Sequence, residues 1–470
     1  PPSHDDTDST VSPRPDAGSA SADQGSPPDM GSTPRDAGPD SPPPARTSLR
    51  TDWPRGLQWV RNHPMFVSGL TVQVDGVDAP FVHAYYDDFG ANAIHLWETG
   101  VPHRLADWLA VPRSDHRWLT WLRADGRTWT NEQIAGGMAP GAPGRIGYQV
   151  GDEPRSWAEF EEMSAGVAAV RAHDPGALIF LNMSYLADEL DRMMSEQCHD
   201  PDFDVISHDM YSIRQGVYEW LEYFRSWGLQ CDKPYWRYVV SYHDLGEAGP
   251  GETDIRWHAL VGLVYGYTGY SWFLYQADTA HGMGSSFFQT PGAVDSAPTS
   301  MFAVGAEVNS LLRNYGRIVT RLTSTDVRYI SELGGPAQPD GTRGWEPGAG
   351  EDPFIVDIAA SGTLFQEVLV GFFRDNYGER YVMLQNPNHE GGSFPVSTDD
   401  PATFTVTFDF GTAPSQLDPD RVEHFVGETG AIEDVALTPG AGGLTALEVT
   451  LAAGDVHLFK YATGAPWDMQ

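Results

Sequence analysis

Between residues 65 and 323, short runs of β-branched and aromatic residues alternate with amphipathic stretches, and the pair recurs eight times. The strand-like runs cover 65–73, 93–98, 117–123, 145–153, 178–184, 203–212, 235–244 and 270–276. The stretches between them have helical spacing. The clearest is SWAEFEEMSAGVAAVRAH, where Ser156 and Glu159 stand as an N-cap and its capping box. Strand then helix, repeated, makes a parallel sheet, because each parallel strand needs a crossover to reach the next. Eight units over about 260 residues predict a (β/α)8 TIM barrel. An open doubly wound sheet would need fewer units, and no GxGxxG follows a strand here.

The flanks differ in kind. After about 325 the helical period gives way to alternating runs such as FQEVLVGFFRD, ATFTVTFDF and DVHLFKYAT, split by Gly, Pro, Asp and Asn. That pattern predicts an all-β sandwich. Residues 1–48 are Pro, Ser, Asp, Gly, Ala and Thr without periodicity, which predicts a disordered tether with a reach of roughly 40 Å. The expected organisation is a linker over 1–48, a barrel over 49–324 and a sandwich over 325–470. The chain opens on Pro1 without an initiator Met, as a processed chain would. The tether resembles the stalks of bacterial surface proteins. An extracellular or cell-surface location, reached by secretion or a lipid tether, is the expectation.

Charge narrows the partners. Lys+Arg total 29 against 65 Asp+Glu, a formal net charge of −36, and such a surface repels phosphate backbones. Nucleic acid is therefore excluded as a partner, and no apolar run is long enough for a transmembrane helix. The two cysteines, Cys198 and Cys231, are too few for a Cys-based zinc cluster. Each ends a helix just before neighbouring strands at the bottom of the expected barrel. A disulfide between them follows from that placement.

In a TIM barrel the reactive groups sit at the C-terminal ends of the strands. Those ends offer Trp97 and Glu98, Trp121 and Arg123, Asp152 and Glu153, Asn182, Asp209 and Tyr211, Tyr242 and Asp244, and Trp272. Carboxylates transfer protons, amides bind hydroxyls and aromatic faces stack on sugar rings. The sharpest segment is GYQVGDEP, where Pro154 stops the fourth strand and holds Glu153 at its tip. Another reading has Asp152 and Glu153 capping the helix that begins near Ser156. His208-Asp209 and His243-Asp244 have the composition of metal-binding dipeptides but end strands, so no metal and no cofactor is expected. Arg256, after Asp254, reads as a salt-bridged structural residue.

A fourth strand ending in Glu-Pro, a Trp at the end of the eighth and a trailing sandwich resemble the large clan of retaining TIM-barrel glycoside hydrolases, among them β-galactosidase-like secreted barrels. The resemblance covers about 65–470. It implies that Glu153 is the acid/base, that Trp272 floors the sugar site and that the substrate is a carbohydrate, with Trp97, Trp121, Tyr211 and Tyr242 as further subsites. The clan carries Asn before that Glu and a nucleophilic Glu at the end of the seventh strand. Here Asp152 replaces the Asn, and the seventh strand ends Ser241-Tyr242-His243-Asp244, with Glu247 beyond. Asp244 is the first choice for the second carboxylate and Asp209 the next, with Glu98 and Glu247 behind them. The missing strand-tip Glu leaves a carbohydrate-binding pseudoenzyme as the alternative.

Overall fold

The computed structural model describes residues 46–71, 83–96, 108–111, 117–122, 140–213, 216–244, 247–276, 282–288, 297–331, 338–362, 367–391 and 401–470. Eight parallel strands close a barrel: β1 (Phe66–Thr71), β2 (Ala93–Leu96), β3 (Trp118–Leu122), β4 (Arg145–Asp152), β5 (Leu178–Ser184), β6 (Ile206–Asp209), β7 (Tyr235–Val240) and β9 (Gly269–Phe273). Between β7 and β9 the short β8 (Tyr242–Asp244) leaves the barrel and pairs antiparallel with β10 (Met283–Ser285). The strands are buried along almost all of their length because both of their faces are covered. Of the tether expected over 1–48, residues 1–45 lie outside the described residues, as do Trp97, Glu98 and Arg123.

Inside the barrel, side chains form layers. At the base Phe66, Ala93, Leu119, Ile146, Leu178 and Trp236 pack together, and the helix Arg55–Asn62 plugs that end with Val60. At the opposite, C-terminal end lies a smaller cluster of Leu70, Trp121 and Tyr238, with Tyr211 and Phe273 against it. Between them runs a chain of hydrogen bonds. Ser68 donates to Ser271 (3.0 Å), His95 Nδ1 lies 3.3 Å from Ser271 Oγ and 3.2 Å from Tyr238 OH, and Tyr238 donates to Gln149 Oε1. Burial drives the His95 pKa down to about 3, so its imidazole is neutral.

The C-terminal region is a sandwich of two antiparallel sheets, one of six strands and one of four. The six-stranded sheet includes β11 (Thr323–Ile330), β13 (Val368–Arg374) and β14 (Arg380–Gln385); β12 (Ile355–Gly362) and β15 (Ala402–Phe408) belong to the other. Strand alternation splits β13 between two cores. Val368, Val370 and Phe372 face the four-stranded sheet, and Leu369 and Phe373 face the barrel. Gly371 falls on the barrel side, where a Cβ would come within 2.3 Å of the Val264 carbonyl, so only glycine lets the helix Glu252–Tyr265 approach. That helix lies between sheet and barrel, and its residues from Thr253 to Tyr265 are all buried.

The two parts are riveted together. Arg256 bridges Glu252, Glu307 and Asp455, as its salt-bridged reading implied. Asp254 accepts hydrogen bonds from the Gly251 and Gly391 N–H groups and from His389. Two residues assigned by composition to the linker also belong here. Arg46 donates to the Pro466 carbonyl (2.8 Å) and covers the Tyr377 ring, and Ser48 Oγ accepts from Asn376. Next to them, Leu49 N–H donates to the Asn376 carbonyl (2.8 Å) and Arg50 pairs with Asp232. The anchored chain therefore begins by Arg46. Cys198 and Cys231 form the expected disulfide, with Cα atoms 4.9 Å apart.

Candidate active site

The tip of β4 owes its shape to one extra residue. Gln149 pairs with Phe180, yet Asp152 pairs with Asn182, so the register slips by one between them. Such bulges re-aim side chains. Gly151 absorbs the kink at φ +81°, where a Cβ would also meet Met163 Sδ at 2.6 Å. Glu153 follows at φ +44°, a left-handed conformation rare for a residue with a side chain, and its N–H donates to the Asn182 carbonyl (2.9 Å). Buried Pro154 then ends the strand. The capping alternative does not describe this acidic pair. Ser156 Oγ accepts from the Glu159 N–H (3.4 Å), and the Glu159 carboxylate accepts from the Arg155 N–H (2.6 Å).

Asp152 points into the barrel. Its Oδ1 accepts from Gln149 Nε2 (3.0 Å) and Asn182 Nδ2 (2.9 Å), and Asn182 in turn accepts from Ser207 (3.0 Å). The carboxylate thus ends the interior hydrogen-bond chain. Asn182, 1% exposed, holds Asp152 in place and offers no surface to a ligand. It also heads a glycosylation sequon that its burial inside β5 makes unusable.

Asp209, at the end of β6, meets Glu153. Burial pushes the Asp209 carboxyl well above the usual range, and the nearby carboxyls of Glu153 and Asp152 push it the same way. Asp209 as a whole residue is 5% exposed, whereas the Glu153 side chain is 31% exposed and has Arg155 Nη2 3.6 Å from Oε2. The two carboxyls are therefore a buried acid behind an accessible partner. His208, the neighbour of Asp209, faces the other side of the strand. It stacks on Phe224 and bonds Tyr267 OH (2.9 Å), which makes it a packing residue.

Beside this pair stand three aromatic rings. Tyr211 stacks on Phe273 with centroids 5.1 Å apart, and Tyr242 meets both edge-on at 5.4 and 5.3 Å. Partial burial raises the Tyr242 phenol pKa, and the charges of Asp244, Asp209 and Glu153 add to it, so all three carboxyls lie within electrostatic reach of that ring. Asp244 itself is exposed on β8, off the barrel rim. Trp121 lies beneath, 6% exposed.

Trp272 does not floor this site. Its side chain is fully buried on the outer face of β9, where Nε1 donates to Asn309 (2.7 Å) of the helix Ser300–Val319. Adjacent residues of a strand face opposite ways, so the ring turned toward the site is Phe273. The sequence pattern that would have found Phe273 is the alternation of β9 itself, with Gly269, Ser271 and Phe273 inward. Ser241 is buried, its hydroxyl bonded to the Leu274 carbonyl (3.2 Å), and is no nucleophile.

Solved structures share this architecture. A protein described as a glycoside hydrolase superposes with a TM-score of 0.50 at 11% identity, covering 86% of this chain and 94% of its own. The shared fold is a TIM barrel followed by a β-sandwich. A glycoside hydrolase family 5 protein from Bacteroides vulgatus ATCC 8482 gives a TM-score of 0.47 at 10% identity over 86% of this chain and 90% of that one. For a GH51 arabinofuranosidase from Xanthomonas axonopodis pv. citri the values are 0.40 and 11% over 88% and 97%. No protein-family model matches the sequence, and no curated protein matches it.

Proposed function

We propose that the chain is a glycoside hydrolase acting outside the cytoplasm on an oligosaccharide or polysaccharide, with Glu153 as the general acid. The observation that carries this reading is the bulged tip of β4, which turns an accessible carboxyl toward three aromatic rings at the C-terminal end of the barrel. Sugar rings would stack on Phe273, Tyr211 and Tyr242 while Glu153 protonates the leaving oxygen. A glycosidase needs a second carboxylate at about 5.5 Å if retaining or roughly 6.5–9.5 Å if inverting. Asp244, beyond Tyr242, takes that role, activating the water or attacking the anomeric carbon. The Cys198–Cys231 disulfide and the Pro/Ser/Asp-rich N-terminal stretch support a secreted or surface-tethered chain.

The test is hydrolysis of a polysaccharide panel by the wild type and by Glu153→Gln. This variant keeps the shape and loses the proton, and should cost about 10²–10⁴ in rate, least on substrates with good leaving groups. Full activity of Glu153→Gln on a poor-leaving-group substrate would sink the assignment. β7 reaches Val240 without a carboxylate at its tip, which favours the second reading, a carbohydrate-binding protein. That reading predicts binding without turnover across the panel.

A further inference from the structure

Resting on the hydrolase reading, we propose that Gln149 and Tyr238 are positioning residues for the acid: a phenol on β7, acting through a buried amide on β4, fixes the bulge that aims Glu153. A residue in left-handed backbone persists only where its surroundings over-determine it. Glu153 is such a residue, at φ +44°, two positions after Gly151 at φ +81°. The bonds that hold this turn come from two amide residues. The Asn182 carbonyl accepts from the Glu153 N–H (2.9 Å), and the Asn182 side chain donates to Asp152 Oδ1 (2.9 Å). Gln149 Nε2 donates to the same carboxylate oxygen (3.0 Å) and to the Gly151 carbonyl (3.2 Å). Every residue from Gly151 to Glu153 is thereby tied to Asn182 or to Gln149.

What fixes the Gln149 amide lies across the barrel. Asp152 Oδ1 and the Gly151 carbonyl are both acceptors, so the amide nitrogen must face them, and Oε1 is left to accept from the Tyr238 hydroxyl. β5 and β6 separate the two strands in the barrel order, so the tie spans the interior. Gln149 is 0% exposed and Tyr238 4% exposed, so bulk water cannot replace the bond. Tyr238 has one hydroxyl proton and gives it to Gln149, so its 3.2 Å contact with His95 Nδ1 has the imidazole as donor. Donors therefore run one way, from His95 through Tyr238 and Gln149 to the Asp152 carboxylate.

Without the Tyr238 hydroxyl, Gln149 Oε1 becomes a buried acceptor with no partner, and the amide is free to turn from the bulge. Gly151 and Glu153 then have a route back to ordinary backbone, and the carboxyl loses its aim. A general acid out of line costs most where the leaving oxygen most needs a proton. An alkyl glycoside needs that proton, and a nitrophenyl glycoside scarcely does.

The experiment compares the full chain with Tyr238→Phe and Gln149→Met on an alkyl and a nitrophenyl glycoside of the sugar that the wild type cleaves. Both variants should lose about tenfold or more in kcat on the alkyl glycoside and less than about threefold on the nitrophenyl one, with KM within about twofold. The paired substitution Cys198→Ser and Cys231→Ser, which weakens the fold at the far end of the barrel, is the control and should show no such split. Equal losses on the two substrates overturn the proposal. A second measurement needs no substrate. Amide hydrogen exchange should find the Glu153 N–H protected in the wild type and at least about tenfold faster in either variant, with amides at the base of β4 unchanged. An unchanged Glu153 rate overturns the proposal even if kcat falls. Should Tyr238→Phe fold poorly, Gln149→Met carries both measurements, because it leaves the phenol in place. Faster exchange together with no turnover of any glycan by the wild type sinks the hydrolase reading and leaves the coupling between Tyr238 and the bulge standing.

Discussion

Glu153 sits at φ +44° at a cost of about 1–2 kcal/mol relative to ordinary backbone. The N–H bond to Asn182 and the buried Pro154 hold it there, so the position of the carboxyl is set by the backbone and not by a mobile loop. On β9 the neighbours Trp272 and Phe273 make a contrast that tests which face is which. Trp272→Ala should cost about 3–5 kcal/mol, because it empties a core site and leaves Asn309 Oδ1 without its donor. Phe273→Ala should leave the melting temperature nearly unchanged and raise KM, or weaken glycan binding, by roughly threefold to tenfold, the worth of one stacking contact. Thermal melts and binding isotherms of both variants decide it. The reverse pattern would place the site on the wrong face of the strand.

At the level of elements, the helices Leu190–His199 and Val217–Cys231 both end at the base of the barrel, and the disulfide joins those ends. It closes a loop of 33 residues by sequence separation. The loop-entropy argument makes that worth about 3–4 kcal/mol. Cys198→Ser with Cys231→Ser should lower the melting temperature by several degrees and leave activity unchanged, because the bridge stands at the end opposite Glu153. A drop in activity at temperatures where the variant is fully folded would mean that the base and the rim are coupled. The helix Glu252–Tyr265 shows why an amphipathic pattern is not obligatory: with barrel on one side and sheet on the other, it has no wet face.

Across the whole molecule, barrel and sandwich lie within one compact unit that spans residues 41–470. Its stability depends on contacts far apart in sequence. Lys233 and Lys460, the chain's two lysines, are both buried and bind backbone carbonyls, Lys233 those of Gln197 and Asp200 and Lys460 that of Ala465. The strap Arg46–Asp52 joins the sandwich turn at Asn376 to the barrel at Asp232. Deletion of residues 1–45 should therefore leave the melting temperature unchanged, whereas deletion of 1–52 should lower it by several degrees, since each bond removed is worth about 1 kcal/mol. Calorimetry of the two truncations checks this. Equal melting temperatures would show that the strap contributes nothing.

The barrel was legible in the chain because period and order are local properties. Eight strand-like runs separated by helical ones admit few topologies, and GDEP marks the end of β4 without any knowledge of its neighbours. What the chain could not disclose was which strand ends meet. Asp209 and Asp244 look alike as carboxylates near strand tips. Only closure of the barrel brings Asp209 against Glu153, while pairing of β8 with β10 carries Asp244 off the rim. Trp272 and Phe273 differ by one position, and a one-residue change of face separates core from cleft. Local propensity is a property of each segment; proximity, burial and the proton affinity they impose on Asp209 exist only once distant segments are packed together.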